Sequence, residues 1–173
     1  THVGLGMLAL VRGSPDEAME RWERAGAIGE AEQDAFTRVV AGQQRARLLI
    51  MRGELDSAER VYAQTLPLAA RLHFDDGVAF ALEGTCAIAV ARGDASRAGA
   101  LAAVAGSIRQ RIGGFDLGAF AVHLPPLAIL RESDPEGVAA GERAGAEMTV
   151  GEAVGLALAD DVRAELDDVL REW

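Results

Sequence analysis

Hydrophobic residues recur along the chain with the spacing of α-helices. In two stretches apolar and small residues recur at helical spacing. These residues are Ala58, Val61, Tyr62, Thr65, Leu66 and Ala69 in the first stretch, and Ala98, Leu101, Ala102, Ala105, Ile108 and Ile112 in the second. Such a period is typical of amphipathic helices. Aromatic residues make up only 5% of the chain, which also favours helices over sheets. The sequence therefore predicts an all-α fold.

A short motif divides the helical pattern into repeating units. An Arg-Gly pair, followed five residues after its Gly by an Ala, begins at Arg12, Arg52 and Arg92, at intervals of forty residues. A fixed period of this size is typical of arrays in which each unit buries its apolar face against its neighbours. Because Gly tolerates the left-handed conformation, we expect the motif's glycines at equivalent interhelix turns. Ala58 and Ala98 are predicted to be buried at helix contacts.

The motif predicts one domain over residues 1–173, made of about eight helices in antiparallel pairs. The approximate bounds are 1–30, 33–73 and 75–112 for three regular units, 115–147 for a degenerate fourth unit, and 149–173 for capping helices.

Helix-starting signals support these bounds. Ser14 and Glu17 have the spacing of a capping box, and so do Thr149 and Glu152. Asp134 is a candidate N-cap, because Pro135 follows it at a position that suits the first residue of a helix.

Composition excludes several classes of function. Seventeen basic residues stand against 27 acidic ones, a net charge of −10, which disfavours direct binding to nucleic acid or to anionic lipid. No apolar run is long enough to span a bilayer. Cys86 is the single cysteine, which fits a reducing cytoplasm. Because the chain starts with Thr1 and enters an apolar segment at once, we expect it to be part of a larger protein.

The units resemble the tetratricopeptide repeat. A small residue stands twelve positions before the repeated Ala, and in two units an aromatic stands four positions after it. These are Gly6, Ala46 and Cys86 for the small residue, and Trp22 and Tyr62 for the aromatic. The resemblance implies a right-handed superhelix of antiparallel helix pairs. The forty-residue period departs from the family's usual 34, and the family's closing Pro is absent.

A second resemblance concerns the protein's context. Gly93-Asp94 followed by Arg97-Ala98, together with the run from Thr149 to Ala153, is similar to the carboxy-terminal helical region of bacterial LuxR-type and AfsR-type regulatory ATPases. The resemblance implies a sensor or protein-contact arm whose partners are proteins or other domains of the parent chain. No P-loop motif occurs in these residues, so nucleotide hydrolysis is not assigned to them.

Candidate contact residues follow from the groove that stacked helix pairs create, because first helices line it. By the resemblance, seven residues face this groove: Gln43, Gln44, Arg47, Phe80, Glu83, Phe120 and His123. Arg47 and Glu83 would form charge-assisted hydrogen bonds to a partner, and Phe80 would be an apolar anchor.

No catalytic residue, metal site or cofactor is predicted, because His2, His73 and His123 lie far apart and form no ligand motif.

The sequence leaves two functions open. One is a non-catalytic protein-interaction scaffold within a bacterial transcriptional or signalling regulator. The alternative is an inducer-sensing domain that binds a small molecule in the groove. Another copy of the chain is a further candidate partner.

Overall fold

A computed structural model describes residues 1–113 and 126–158 of the chain. Every regular element within these residues is an α-helix, which confirms the predicted all-α class. The helices are α1 (His2–Val11), α2 (Pro15–Ala31), α3 (Ala35–Met51), α4 (Leu55–Arg71), α5 (Asp75–Arg92), α6 (Ala95–Ile112), α7 (Ala128–Ser133), α8 (Pro135–Glu147) and α9 (Val150–Ala157).

The turns between helices repeat with the sequence period. Gly13, Gly53 and Gly93 end α1, α3 and α5 with φ values of 78°, 75° and 76°. These positive angles are the left-handed conformation that Gly adopts without a steric cost, so the predicted turns are confirmed. The turns after α2 and α4 repeat as well, since Gln33 and His73 have φ values of 54° and 48°. Helices α1–α2, α3–α4 and α5–α6 therefore form units one, two and three.

From α1 to α6 consecutive helices pack against each other, and the first helices of neighbouring units also touch, α1 with α3 and α3 with α5. The repeated alanines Ala18, Ala58 and Ala98 have no exposed surface, which confirms the prediction made for Ala58 and Ala98. Large side chains such as Trp22 and Tyr62 fill the space between units. The core is thus assembled from contacts between neighbouring units.

Helix caps follow the predictions at two of three sites. Asp134 accepts a hydrogen bond from the Gly137 amide at 2.9 Å. Thr149 and Glu152 form the full capping box. Ser14 makes no side-chain capping bond, so the box predicted with Glu17 is wrong. Glu17, the residue expected to complete the box, is instead paired with Arg21 at 3.1 Å, one helical turn along α2.

The fourth unit departs from the first three in its packing. Helix α8 lies against α6, and this is the most extensive contact between any two helices of the described residues. Three glycines one turn apart, Gly137, Gly141 and Gly145, face α6. A Cβ at Gly141 would overlap the Ser96 carbonyl, and one at Gly99 would overlap the Val138 carbonyl. The two backbones approach so closely that only glycine fits.

Candidate functional site

Four of the seven predicted contact residues are brought together between α3 and α5. They are Gln43, Arg47, Phe80 and Glu83. Gln44 lies beside them on α3 and is partly exposed. Phe120 and His123 lie outside the described residues.

Arg47 is the centre of this arrangement. Its Nη2 donates a hydrogen bond to Glu83 Oε2 at 2.8 Å. Its guanidinium carbon lies 3.5 Å from the centroid of the Phe80 ring, which is the geometry of a cation–π contact. Phe80 and Glu83 stand three residues apart on α5, so both side chains meet the same point on α3. One arginine thus connects two first helices.

Glu83 also binds an arginine from a third helix. Arg109 on α6 donates from Nε to Glu83 Oε1 at 2.8 Å, and from Nη2 to Oε2 at 3.3 Å. Arg109 is also hydrogen-bonded to Asp76 at the start of α5. Arg47, Asp76, Phe80, Glu83 and Arg109 are called the Arg47 cluster below. It holds α3, α5 and α6 together.

The charges of the Arg47 cluster balance, with two guanidinium groups and two carboxylates. Burial opposes the charge of Arg109, but hydrogen bonds and charge attraction from Glu83 and Asp76 outweigh it and raise the pKa of the guanidinium. Burial raises the pKa of the neighbouring Tyr62 hydroxyl, and the Arg47 charge only partly opposes this. Arg109 therefore stays charged and Tyr62 stays protonated near neutral pH. The cluster is therefore a stable ion-pair network.

Sequence reasoning missed Arg109 and Asp76. A signal for Arg109 existed, because it stands one turn after Ala105 on the apolar stripe of α6. A charged residue on such a stripe indicates a buried partner, since an unpaired charge is costly there. The partner's identity depends on how α6 packs on α5, which the stripe does not specify.

Three of the predicted groove residues are more buried than expected. Gln43, Arg47 and Phe80 are 3%, 4% and 6% exposed. Gln43 donates from Nε2 to the Gly77 carbonyl at 2.7 Å. The prediction placed these side chains on a solvent-facing groove, and the structure corrects it. Because α3 and α5 pack against each other, the facing positions become contacts between helices. Among the five predicted residues that are described, only Gln44 and Glu83 present appreciable surface.

An open depression of about 760 Å³ lies elsewhere, between α4, α6 and the end of α9. Its lining combines the ion pair of Arg97 with Glu59, at 3.7 Å, with the apolar residues Leu156 and Leu158. Arg97 also donates to the Ala157 carbonyl at 3.4 Å. These charged groups are therefore partnered within the protein.

Cys86 is buried, and its Sγ lies 3.3 Å from the Ala98 carbonyl, to which it donates. Burial, and to a lesser extent the Glu83 charge, raise the pKa of the thiol to about 11.

Across 1–113 and 126–158, no three His, Cys, Asp or Glu side chains are grouped so as to hold a metal ion. In the same ranges no helix combines the length and the apolar character needed to cross a bilayer.

Comparisons with protein-family models, with curated proteins and with solved structures returned no match for this chain.

Proposed function

We propose that this chain is a non-catalytic protein-interaction domain of a larger bacterial regulatory protein in the cytoplasm. In this proposal its units wind into a right-handed superhelix of the tetratricopeptide kind, with the first helices lining a groove. The repeating turns at Gly13, Gly53 and Gly93, together with the packing of α1 on α3 and α3 on α5, support it. The partner is another protein or another domain of the parent chain.

The observation that carries the proposal is the Arg47 cluster. It joins the first helices of units two and three through Arg47 and Glu83, 2.8 Å apart, and adds the second helix of unit three through Arg109. A platform whose helices are held in fixed relation loses little conformational freedom on binding, so more of the contact energy appears as affinity. The cluster's balanced charge suits this supporting role.

The proposed partner surface is the solvent-exposed area around the Arg47 cluster, to which Gln44 and Glu83 contribute. Gln44 is partly exposed one residue from the buried Gln43, and the Glu83 side chain keeps 28% of its surface. Both stand on first helices and both can hydrogen-bond to a partner's backbone or side chains. In this proposal the buried residues Phe80 and Arg47 act indirectly, because they fix the positions of α3 and α5 and so the shape of the surface.

Photo-crosslinking tests the proposal with a matched pair of sites in unit two. Gln44 lies on the first helix and Gln64 is exposed on the second. A photoreactive phenylalanine analogue replaces each in turn, and the protein is irradiated in extract of the cells that produce it. We expect a covalent protein adduct from position 44 and none from position 64. Adducts from 64 alone, or from neither position, would exclude the groove as the binding surface.

The alternative function, small-molecule sensing in the same groove, predicts a different result. A metabolite would raise the unfolding midpoint in a thermal-shift screen, and Gln44→Arg would abolish that shift. No protein adduct would then form at position 44. The two experiments together separate the two functions.

A further inference from the structure

The outer face of α1 lacks the covering that the equivalent faces of α3 and α5 have. Leu8 is 43% exposed, whereas its equivalents Leu48 and Ile88, forty and eighty residues further along, are 2% and 1% exposed. Leu48 is covered in a cluster with Trp22 and Ala18 of α2, the second helix of the preceding unit. Position 8 is thus apolar, as in the covered units, but uncovered.

A glycine one turn before Leu8 matches the covered face of α5. The aromatic ring of Tyr62 on α4 packs at Gly84 so closely that a Cβ there would overlap its hydroxyl. The equivalent residue in α1 is Gly4, and a Cβ at Gly4 would meet only the Thr1 hydroxyl oxygen, at 3.8 Å. Space for an aromatic side chain is therefore present at Gly4.

An arginine one turn after Leu8 matches both covered faces. Arg52 pairs with Asp16 at 2.6 Å, and Arg92 pairs with Asp56 at 2.7 Å. Each aspartate lies in the first turn of the second helix of the preceding unit. Arg12 is the equivalent residue of unit one, and no carboxylate of the described residues pairs with it.

Both members of this ion pair change together at the other end of the array. The residue equivalent to Asp16 and Asp56 in α6 is Ser96, and the residue equivalent to the arginines in unit four is Glu132. The arginine therefore occurs at positions 52 and 92, where the preceding unit supplies an aspartate, and also at position 12.

We propose that Gly4, Leu8 and Arg12 form a docking strip for an amphipathic helix of the α4 type. That helix carries an aspartate in its first turn, an alanine two residues later and a tyrosine or tryptophan six residues after the aspartate. Asp56, Ala58 and Tyr62 have this arrangement, and so do Asp16, Ala18 and Trp22. The strip continues the interfaces that α2 and α4 already form with α3 and α5. The strip lies on α1, whereas the proposed partner surface uses Gln44 of α3 and Glu83 of α5, so a failed labelling test at position 8 leaves the proposed function standing.

The contributions of the three positions differ. Covering Leu8 removes apolar surface from water and supplies most of the affinity. The aspartate pairs with an exposed arginine, and such pairs add little free energy but oppose a wrong register. Gly4 admits an aromatic side chain and thereby selects helices that carry one.

The test uses the full chain with residues 54–80 repeated directly before Thr1. Because Thr1 is equivalent to Ala81, the added α4 copy then precedes α1 in the register that α4 has with α5. Tethering gives the added helix a high effective concentration, which an isolated helix of this length would lack. Leu8→Cys reports on coverage through the rate of native-state thiol labelling, since Cys86 is buried.

We expect labelling of Cys at position 8 to slow by about tenfold or more in the extended chain. The matched control is Val11→Cys. Val11 and its equivalent Met51 are 66% and 48% exposed, so position 11 should label at the same rate in both chains. Tyr62→Ala within the added copy should restore fast labelling at position 8.

Two results would overturn the proposal. One is equal labelling of position 8 in the extended and original chains, with circular dichroism showing that the added residues are helical. The other is concentration-dependent protection of position 8 in the original chain together with a dimeric mass, which would make a second copy the occupant.

Discussion

Two junctions in this molecule hold helices together by different means. Units two and three meet through side chains, with Tyr62 packed at Gly84, Arg92 paired with Asp56, and the Arg47 cluster between α3 and α5. Helices α6 and α8 meet through their backbones, because Gly99 and Gly141 remove the side chains between them.

The difference between the side-chain junction and the backbone junction explains why the regular repeat stops after α6. A side-chain junction depends on a few residues at fixed spacing, so the same spacing reproduces it from unit to unit. A backbone junction depends on surfaces that fit along their whole length, and a single methyl group disturbs it. The regular units therefore end at α6, and α8 is bound in a different way.

Gly141→Ala should give the largest effect, because the added methyl group overlaps the backbone carbonyl of Ser96, which cannot rotate away. We expect the free energy of unfolding to fall by about 3 kcal/mol, the upper range for overpacking. Urea denaturation followed by circular dichroism measures it. A loss below about 1 kcal/mol would show that the α6–α8 junction adapts as side-chain junctions do.

Arg47→Ala should weaken the side-chain junction by about 2 kcal/mol, less than a fully buried pair would lose, since Glu83 is partly exposed and keeps Arg109. Arg47→Met is the matched control, because it keeps an apolar stem against Phe80. We expect Met to recover about half of the loss. Equal losses for the two variants would assign the whole effect to the ion pair.

Cys86 lies on α5, which belongs to the side-chain junction and also packs on α6. Burial raises the pKa of its thiol to about 11, so above pH 9 the unfolded chain releases the proton first. The free energy of unfolding is therefore unaffected by this group below pH 9, and should fall by about 2 kcal/mol between pH 9 and 11. Cys86→Ala should show a shallower fall over that window. Identical slopes would mean that the thiol does not titrate differently on unfolding.

The sequence predicted those features that depend on local residues. The helices, the turns at Gly13, Gly53 and Gly93, and the burial of Ala58 and Ala98 follow from periodicity and from the conformational freedom of glycine. They hold because every unit repeats them and each repeat is set within about forty residues.

The remaining features depend on how distant helices meet. The groove pattern selected Arg47, Phe80 and Glu83 but could not show that they would contact one another, since that requires the distance between α3 and α5. The glycines at 137, 141 and 145 were visible at a spacing of four, which is typical of close helix packing. Their partner, α6, could not be read from that spacing.

Gly84→Ala should cost about 1 kcal/mol, less than Gly141→Ala, although both methyl groups would overlap an oxygen. At Gly84 the oxygen belongs to the Tyr62 side chain, which can move. The Tyr62 hydroxyl is buried and makes no hydrogen bond within the described residues. Tyr62→Phe should therefore be nearly neutral by itself and should restore only part of the loss in the Gly84→Ala background, because the added methyl group would also overlap the ring carbons Cζ and Cε2. Full recovery in the double variant would show that the hydroxyl alone limits the space.

Gly106→Ala should have the smallest effect, and it should be stabilising. Gly106 lies inside α6, the helix whose Gly99 faces α8, but a Cβ at position 106 would meet nothing within 4 Å. Alanine in a helix interior is more favourable than glycine by about 0.5–1 kcal/mol, because it loses less backbone entropy on folding. We expect the urea midpoint to rise with an unchanged slope, whereas Gly99→Ala on the same helix should lower it. A fall for both variants would mean that α6 requires glycine for flexibility along its length. Opposite signs would show that close backbone approach is confined to the face that α8 covers.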